Sequence, residues 1–309
     1  MLRLSMGWSI RCSIRLKNRP ASGPQSSTEM PDSISYPAFF FPQGKNMLKT
    51  LKPAIKALIL DLDGVLWRGN QPIGNLQHIF QRINQHGLKV ICATNNSTST
   101  PSQVSAKIAE MGVILSPESI LTSAEASALY LKKIYPAGRW VYIVGEVGLS
   151  EALRKHGFLH SDTQPLAVVA GMDRQISYEK LAGATHWIRR GVPFIGTNPD
   201  KTFPITDGLA PGAGSILAAI EAASDVQPTI IGKPSPYLYQ IAMEQIDTTP
   251  QETLAVGDRL ETDILGGQRA GMRTALVLSG VTTRKQLDAW PNPPDLVAAD
   301  LTELLDGLP

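Results

Sequence analysis

Cysteine is scarce in this sequence: Cys12 and Cys92 are the only two in 309 residues. No disulfide framework or Cys/His zinc spacing can be built from them, which suits a reducing compartment. Cys92 sits in an apolar run, where a buried free thiol is the ordinary reading. Neither sign of charge is in excess. Lys and Arg total 29 and Asp and Glu 27, giving a net charge of +2. That is too near neutrality to argue for a nucleic-acid or membrane surface. No apolar run is long enough to span a bilayer. The five histidines, His78, His86, His156, His160 and His186, show no pairing or metal spacing. What is present is 43% hydrophobic and 18% charged residues, enough for a globular chain with a sizeable core. The length makes two domains the natural expectation.

Residues 1–46 differ from the rest. They carry Arg3, Arg11, Arg15, Lys17 and Arg19 with many serines, and no acid before Glu29. Two readings stand side by side: an organelle transit peptide, or an upstream extension with Met47 as the true first residue. Residues 20–46 are rich in Pro, Ser and Gly without periodicity, which predicts a disordered tail.

The densest stretch is Ala57 to Gly69, ALILDLDGVLWRG. Four apolar residues read as a strand buried on both faces. Asp61 and Asp63 follow, one residue apart, and then Gly64. Alternate residues of a strand share a face, so both carboxylates can point the same way at its carboxyl end. Parallel α/β sheets bind ligands at that end. Two like charges so close repel unless a cation neutralises them or one holds a proton. An Asp-rich turn with Gly64 at positive φ is the structural alternative.

Downstream, apolar strands alternate with amphipathic helices. Helices are expected over 75–86 and 103–111, and strands over 88–93 and 120–121. A second alternation begins near Arg139, with strands at 140–144, 166–170 and 193–196. Helices at 149–155, 177–190 and 215–223 accompany them, and residues 197–214 read as a loop. A third block follows, with strands at 229–231, 254–257 and 274–278, the last of which closes the sheet. The alternation predicts an α/β fold with a doubly wound parallel sheet. The domain organisation expected is a tail over 1–46, a core over 47–134 and 228–309, and an inserted α/β domain over 135–227.

Four strand ends carry polar groups: Asp61 with Asp63, Thr94 with Asn95, Lys233, and Asp258 with Asp263. In this order, DLDGV, an apolar strand ending in Thr, a lone Lys, and GDxxxxD resemble the haloacid dehalogenase (HAD) superfamily of phosphatases. DLDGVLWRG, ATNNST, TNPD, DGLAPGAGS, GKPSP and GDRLETDI resemble its subfamily IIA. That branch holds NagD-like, 4-nitrophenylphosphatase-like, phosphoglycolate phosphatase-like and nucleotide phosphatase-like members. The resemblance covers about residues 55 to 305, and the ordered set is specific where each motif alone is weak.

The resemblance implies a Rossmann-like core with an inserted cap. It makes Asp61 the nucleophile of an aspartyl-phosphate and Asp63 the general acid and base. Mg²⁺ would be held by carboxylates of Asp61 and Asp258 and the backbone carbonyl of Asp63. The Thr94 hydroxyl and the Asn95 amide would hold phosphate oxygens, with Asn96 a second contact. Lys233 would supply positive charge, and Asp263 would orient Lys233 or metal-bound water. The cap would select the leaving group through residues 200–204. Phe203 stands where vertebrate-type members carry a histidine, so substrate assignments resting on that histidine do not transfer.

Each residue has a structural alternative: helix caps for Thr94 and Asn95, a solvated lysine for Lys233, helix-dipole acids for Asp258 and Asp263. Their joint occurrence at four strand ends favours the catalytic reading. The expected activity is Mg²⁺-dependent hydrolysis of a small-molecule phosphate ester. The expected setting is cytoplasmic, with organelle targeting by residues 1–46 as the alternative. No nucleic-acid or membrane partner is expected, and a homodimer through the cap is a further implication. The competing readings are a catalytically silent phosphate-ligand-binding or assembly protein, and a sugar phosphomutase.

Overall fold

The computed structural model describes residues 47–205 and 207–306; the expected tail lies outside them. A six-stranded parallel sheet forms the larger layer. Its order is Leu296–Ala298, Arg273–Val277, Thr253–Gly257, Ala57–Leu60, Lys89–Thr94 and Ile120–Thr122. Ala57–Leu60 is buried along its whole length, as an all-apolar central strand must be. The next strand of this sheet in chain order, Lys89–Thr94, pairs on one side of it and the much later Thr253–Gly257 on the other. The strand order therefore reverses beside Ala57–Leu60, and the crevice outside its carboxyl end is where ligands bind in open α/β sheets.

The flanking helices follow from the sequence. Leu76–Gln85 buries Leu76, Ile79, Phe80 and Ile83, and Asn75 caps it by accepting from the His78 N–H. Pro101–Glu110 starts with a capping box between Thr100 and Gln103.

A second parallel sheet runs Thr229–Ile230, Phe194–Gly196, Val168–Ala170, Arg139–Val144, Phe158–His160. The first of these corrects an expectation. Residues 229–230 pair with Phe194–Gly196, so the chain is still in the second sheet beyond the boundary expected at 227. Helix Ser123–Ile134 fills the space between the layers. Its Ala124, Ala128 and Leu131 share one apolar cluster with Ile59 and Leu121 of the first sheet and Val141 and Val169 of the second. Buried Glu125 on this helix accepts from Lys155 and meets His156 Nε2, both at 2.8 Å. His156, at the C-cap of Val147–Lys155, keeps the helix-end place expected of it and adds this contact with Glu125.

Two more differences bear on the site. The stretch expected as one loop over 197–214 contains an antiparallel hairpin, Thr202–Ile205 with Gly208–Pro211. The sheet is closed by Leu296–Ala298, not by the strand near 274. Backbone N–H groups of Gly212 and Gly214 donate to the Lys201 and Asp200 carbonyls. That makes the Gly-rich run a tight helix entry rather than a phosphate cradle.

Candidate active site

The loop after the central strand turns back on itself. The Asp61 N–H donates to the Val256 carbonyl at 2.9 Å, and the Gly64 N–H to the Trp67 carbonyl at 2.7 Å. Gly64 adopts φ +83°, and a Cβ there would meet the Asp258 carboxyl carbon at 2.5 Å. A Cβ on Gly280 would lie 1.9 Å from Asp258 Oδ2. Two glycines thus make the cradle in which the Asp258 side chain sits.

Lys233 organises the acids. Its ammonium is 3% exposed and donates to Asp61 Oδ1 at 2.5 Å, Asp263 Oδ1 at 2.6 Å and the Ala93 carbonyl at 3.2 Å. All three N–H bonds are spent inside the protein, so what Lys233 offers the cavity is its charge. Asp263 Oδ2 accepts from the backbone N–H groups of Asp258 and Arg259 at 3.2 and 3.0 Å. Both oxygens of Asp263 are therefore occupied by protein donors.

Carboxylate oxygens of Asp61, Asp258 and Asp263 lie within 4.8 Å of one another. Like charges at that distance repel by roughly 3.5 kcal/mol at an effective dielectric of about 20. Burial pushes Asp61 up to about 8, against the pull of Lys233, and Asp263 and Asp258 add to the rise. Asp258 is pushed up to about 6, by burial and then by Asp263. Burial would pull Lys233 down, but Asp263 and Asp61 outweigh it and hold the ammonium well above its usual range. Three carboxylates face one ammonium, and the deficit is of positive charge.

One atom locates that deficit. Asp258 Oδ2 accepts from the Val281 N–H at 2.8 Å, but its buried Oδ1 has no hydrogen-bond partner. Such an atom is costly unless something binds it. An oxygen-rich, net-negative cluster suits a hard divalent cation. Asp61 and Asp258 fit as its ligands, whereas Asp263 is already committed to Lys233 and the backbone.

A cavity of about 680 Å³ opens over this cluster, the size of a small-ligand site. Asp61, Asp63, Thr94, Asn95, Asn96, Phe203, Lys233, Asp258 and Asp263 all line it, and of residues 200–204 Lys201 alone is not among the lining residues described. Their surroundings differ. Asp63 is exposed, and its Oδ1 accepts from Trp67 Nε1 at 2.8 Å. Thr94 is buried; its Oγ1 accepts from the Asn96 N–H at 3.1 Å, which leaves the hydroxyl hydrogen to donate. The Asn96 side chain accepts from the Thr98 N–H at 2.8 Å and hydroxyl at 2.9 Å, shaping its own loop.

Asn95 corrects an expectation. Its Nδ2 donates to the Lys233 carbonyl at 2.9 Å and to Asp200 Oδ2 at 3.1 Å, and its Oδ1 accepts from the Lys233 N–H at 2.8 Å. The amide clamps the Lys233 backbone and has no hydrogen left for a phosphate oxygen. Burial raises Asp200, against that hydrogen bond from Asn95. Asn198 Nδ2 in turn donates to the Asn95 carbonyl at 2.8 Å.

The sequence reading passed over other lining residues. Met172 and Arg174 come from the loop after Val168–Ala170, and Arg259 follows Asp258. Arg174 is fixed by Glu146, which accepts from its Nε at 2.8 Å and its Nη2 at 2.5 Å. Arg68, five residues after Asp63, also lines the cavity and donates to the Ser279 carbonyl. Met172, Arg174 and Arg259 share one signal, a position just beyond a strand's carboxyl end.

The family described as haloacid dehalogenase-like hydrolase matches residues 58–159, and a HAD-hydrolase-like family matches residues 230–304. An acid sugar phosphatase of Staphylococcus aureus (strain USA300) is 39% identical over 254 residues, 82% of this chain and 98% of that protein. The chain belongs to the haloacid dehalogenase superfamily. Its place is in subfamily IIA, beside NagD and the 4-nitrophenylphosphatases. The NagD structure from Escherichia coli K-12 is 34% identical with a TM-score of 0.76, covering 81% of this chain and 98% of that one. The p-nitrophenyl phosphatase from Archaeoglobus fulgidus is 31% identical with a TM-score of 0.77, at the same two coverages. This HAD protein is a phosphatase. Among the described residues no helix is long and apolar enough to cross a membrane.

Proposed function

We propose that this phosphatase hydrolyses phosphate monoesters of small metabolites through a phosphoryl group carried on Asp61. The observation that carries the reading is Lys233 bridging Asp61 and Asp263 beside the unpartnered, buried Asp258 Oδ1. An Asp61 carboxylate oxygen attacks phosphorus as the bond to the leaving oxygen breaks, and Asp63 gives that oxygen its proton. Water then attacks the aspartyl-phosphate and passes a proton back to Asp63, which frees Asp61 and inorganic phosphate. The Thr94 hydroxyl donates to a phosphate oxygen, and Asn95 holds Lys233 in place.

Carboxylates of Asp61 and Asp258, with the Asp63 carbonyl, would hold Mg²⁺, which when bound supplies the charge that lets an anionic ester approach three acids. The second sheet and its hairpin serve as the cap, since Phe203, Met172 and Arg174 line the same cavity as Asp61. Sugar phosphates head the substrate panel, because the curated relative above is named for them. Phosphate release over such a panel tests the reading. Binding without release would favour the silent-protein alternative, and transfer within a sugar without release would favour a phosphomutase.

Chelation gives a further expected result. The metal-free enzyme should be inactive and recover on adding Mg²⁺. Asp258→Asn keeps an oxygen for the Val281 N–H but loses the buried charge. Its apparent Mg²⁺ affinity should fall by about 10- to 100-fold or more. Its metal-free Tm should hold or rise, because one of three mutually repelling carboxylates is gone. Thermal unfolding with and without Mg²⁺ checks both halves. An unchanged Mg²⁺-induced Tm rise in this variant would remove Asp258 from the ligand set.

A further inference from the structure

We infer that Trp67 is a positioning residue for Asp63: its indole N–H fixes which carboxylate oxygen faces the leaving group. The proposal rests on the general-acid reading of Asp63 given above. Asp63 is exposed and lies in a loop, so nothing in its own packing selects a rotamer. A free carboxylate on such a loop would sample several rotamers, and proton transfer needs one within hydrogen-bond reach of the leaving oxygen.

Trp67 supplies that constraint. Its Nε1 donates to Asp63 Oδ1 at 2.8 Å, and Asp63 Oδ2 makes no hydrogen bond among the described residues. The indole is itself buried, at 3% exposure within the main apolar cluster. Its backbone is tied to the same loop, through the Gly64 N–H on the Trp67 carbonyl and a bridge between residues 63 and 67. Lys107 stands over the ring at 4.4 Å and donates to the Gly69 carbonyl at 3.1 Å. A cation over a ring face is attracted to it, so Lys107 adds a further hold on the ring. An indole has one donor and no acceptor, and that donor is spent on Oδ1. Oδ2 is the oxygen left to carry the proton to the leaving group and to take one from water.

The test exploits the leaving group. 4-Nitrophenolate departs with little need of a proton, whereas unsubstituted phenolate needs one more. The ratio kcat/KM reports the step in which the leaving group departs, before the phosphoenzyme is hydrolysed. Two changes remove the N–H: Trp67→Phe, and an isosteric benzothiophene ring placed at position 67, which keeps the ring's shape and its packing. In both, kcat/KM for phenyl phosphate should fall about tenfold or more beyond any fall for 4-nitrophenyl phosphate. A purely structural role would lower the two substrates equally, and equal losses in the benzothiophene protein would overturn the proposal. Asp63→Asn is measured alongside. If it too fails to discriminate between the substrates, the general-acid reading falls. If it discriminates and the benzothiophene protein does not, Trp67 alone is refuted.

Discussion

Asp61→Asn is expected to fold like the parent and to hydrolyse 4-nitrophenyl phosphate slower by roughly 10⁴-fold or more, since it removes the nucleophile itself. An amide oxygen can still accept from Lys233, so the 2.5 Å contact has a partner. The substitution also removes one of three carboxylates gathered within 4.8 Å. Tm should therefore stay level or rise while activity vanishes. That combination separates a lost nucleophile from a damaged fold. An active Asp61→Asn protein, or an inactive one that has also lost Tm, would contradict the assignment.

Lys233→Met is expected to damage both activity and stability. Among the described residues the ammonium is the one positive group bonded to Asp61 and Asp263, and it is almost wholly buried. Removing one partner of a buried ion pair typically costs about 3–5 kcal/mol, because the other charge stays behind unpaired. For a chain of this size that is a fall in Tm of roughly 6–20 °C. Loss of the charge beside the reacting groups should lower kcat/KM by about 10²–10³-fold. The stability loss is expected to be non-additive with Asp263→Asn, since the two residues share one contact. The double variant Lys233→Met with Asp263→Asn should recover part of the Tm and none of the activity. Additive losses in unfolding experiments would mean that the Lys233–Asp263 contact is not what holds the cluster together.

Asp61, Lys233 and Asp258 were legible because each stands where an apolar run stops, and a polar residue there has a sheet's carboxyl end as its surroundings. The central strand was legible for the same reason: four apolar residues with no alternation fit only a position buried on both faces. Helix Ser123–Ile134 was not read, because it is buried from both sides. SAEASALYLKKI is rich in small residues and shows no single apolar stripe, which is the signal that sequence periodicity detects. The hairpin at 202–211 carries Pro204 and Pro211 and pairs with no sheet, so nothing in its pattern separated it from a loop. The edge strand Leu296–Ala298 is three residues long behind a run of prolines.

The role of Asn95 was misread for a different reason. An Asn at a strand end next to a Thr suits a ligand contact and a scaffold contact equally well. Only the fold brings Lys233, 138 residues away, close enough to take up its amide. Trp67 shows the same limit, since a tryptophan in a buried loop reads as core until its N–H is seen to meet a carboxylate.

The claim on which the rest depends is that the phosphoryl group passes through Asp61. Acid quenching of the enzyme during turnover of 4-nitrophenyl phosphate, followed by mass spectrometry of the intact chain and its fragments, tests this most directly. The expected result is a mass gain of one phosphoryl group, confined to the fragment spanning residues 57–69, lost on mild alkaline treatment and absent in Asp61→Asn. Full turnover with no such adduct at any quench time, or an adduct on another fragment, would contradict the account.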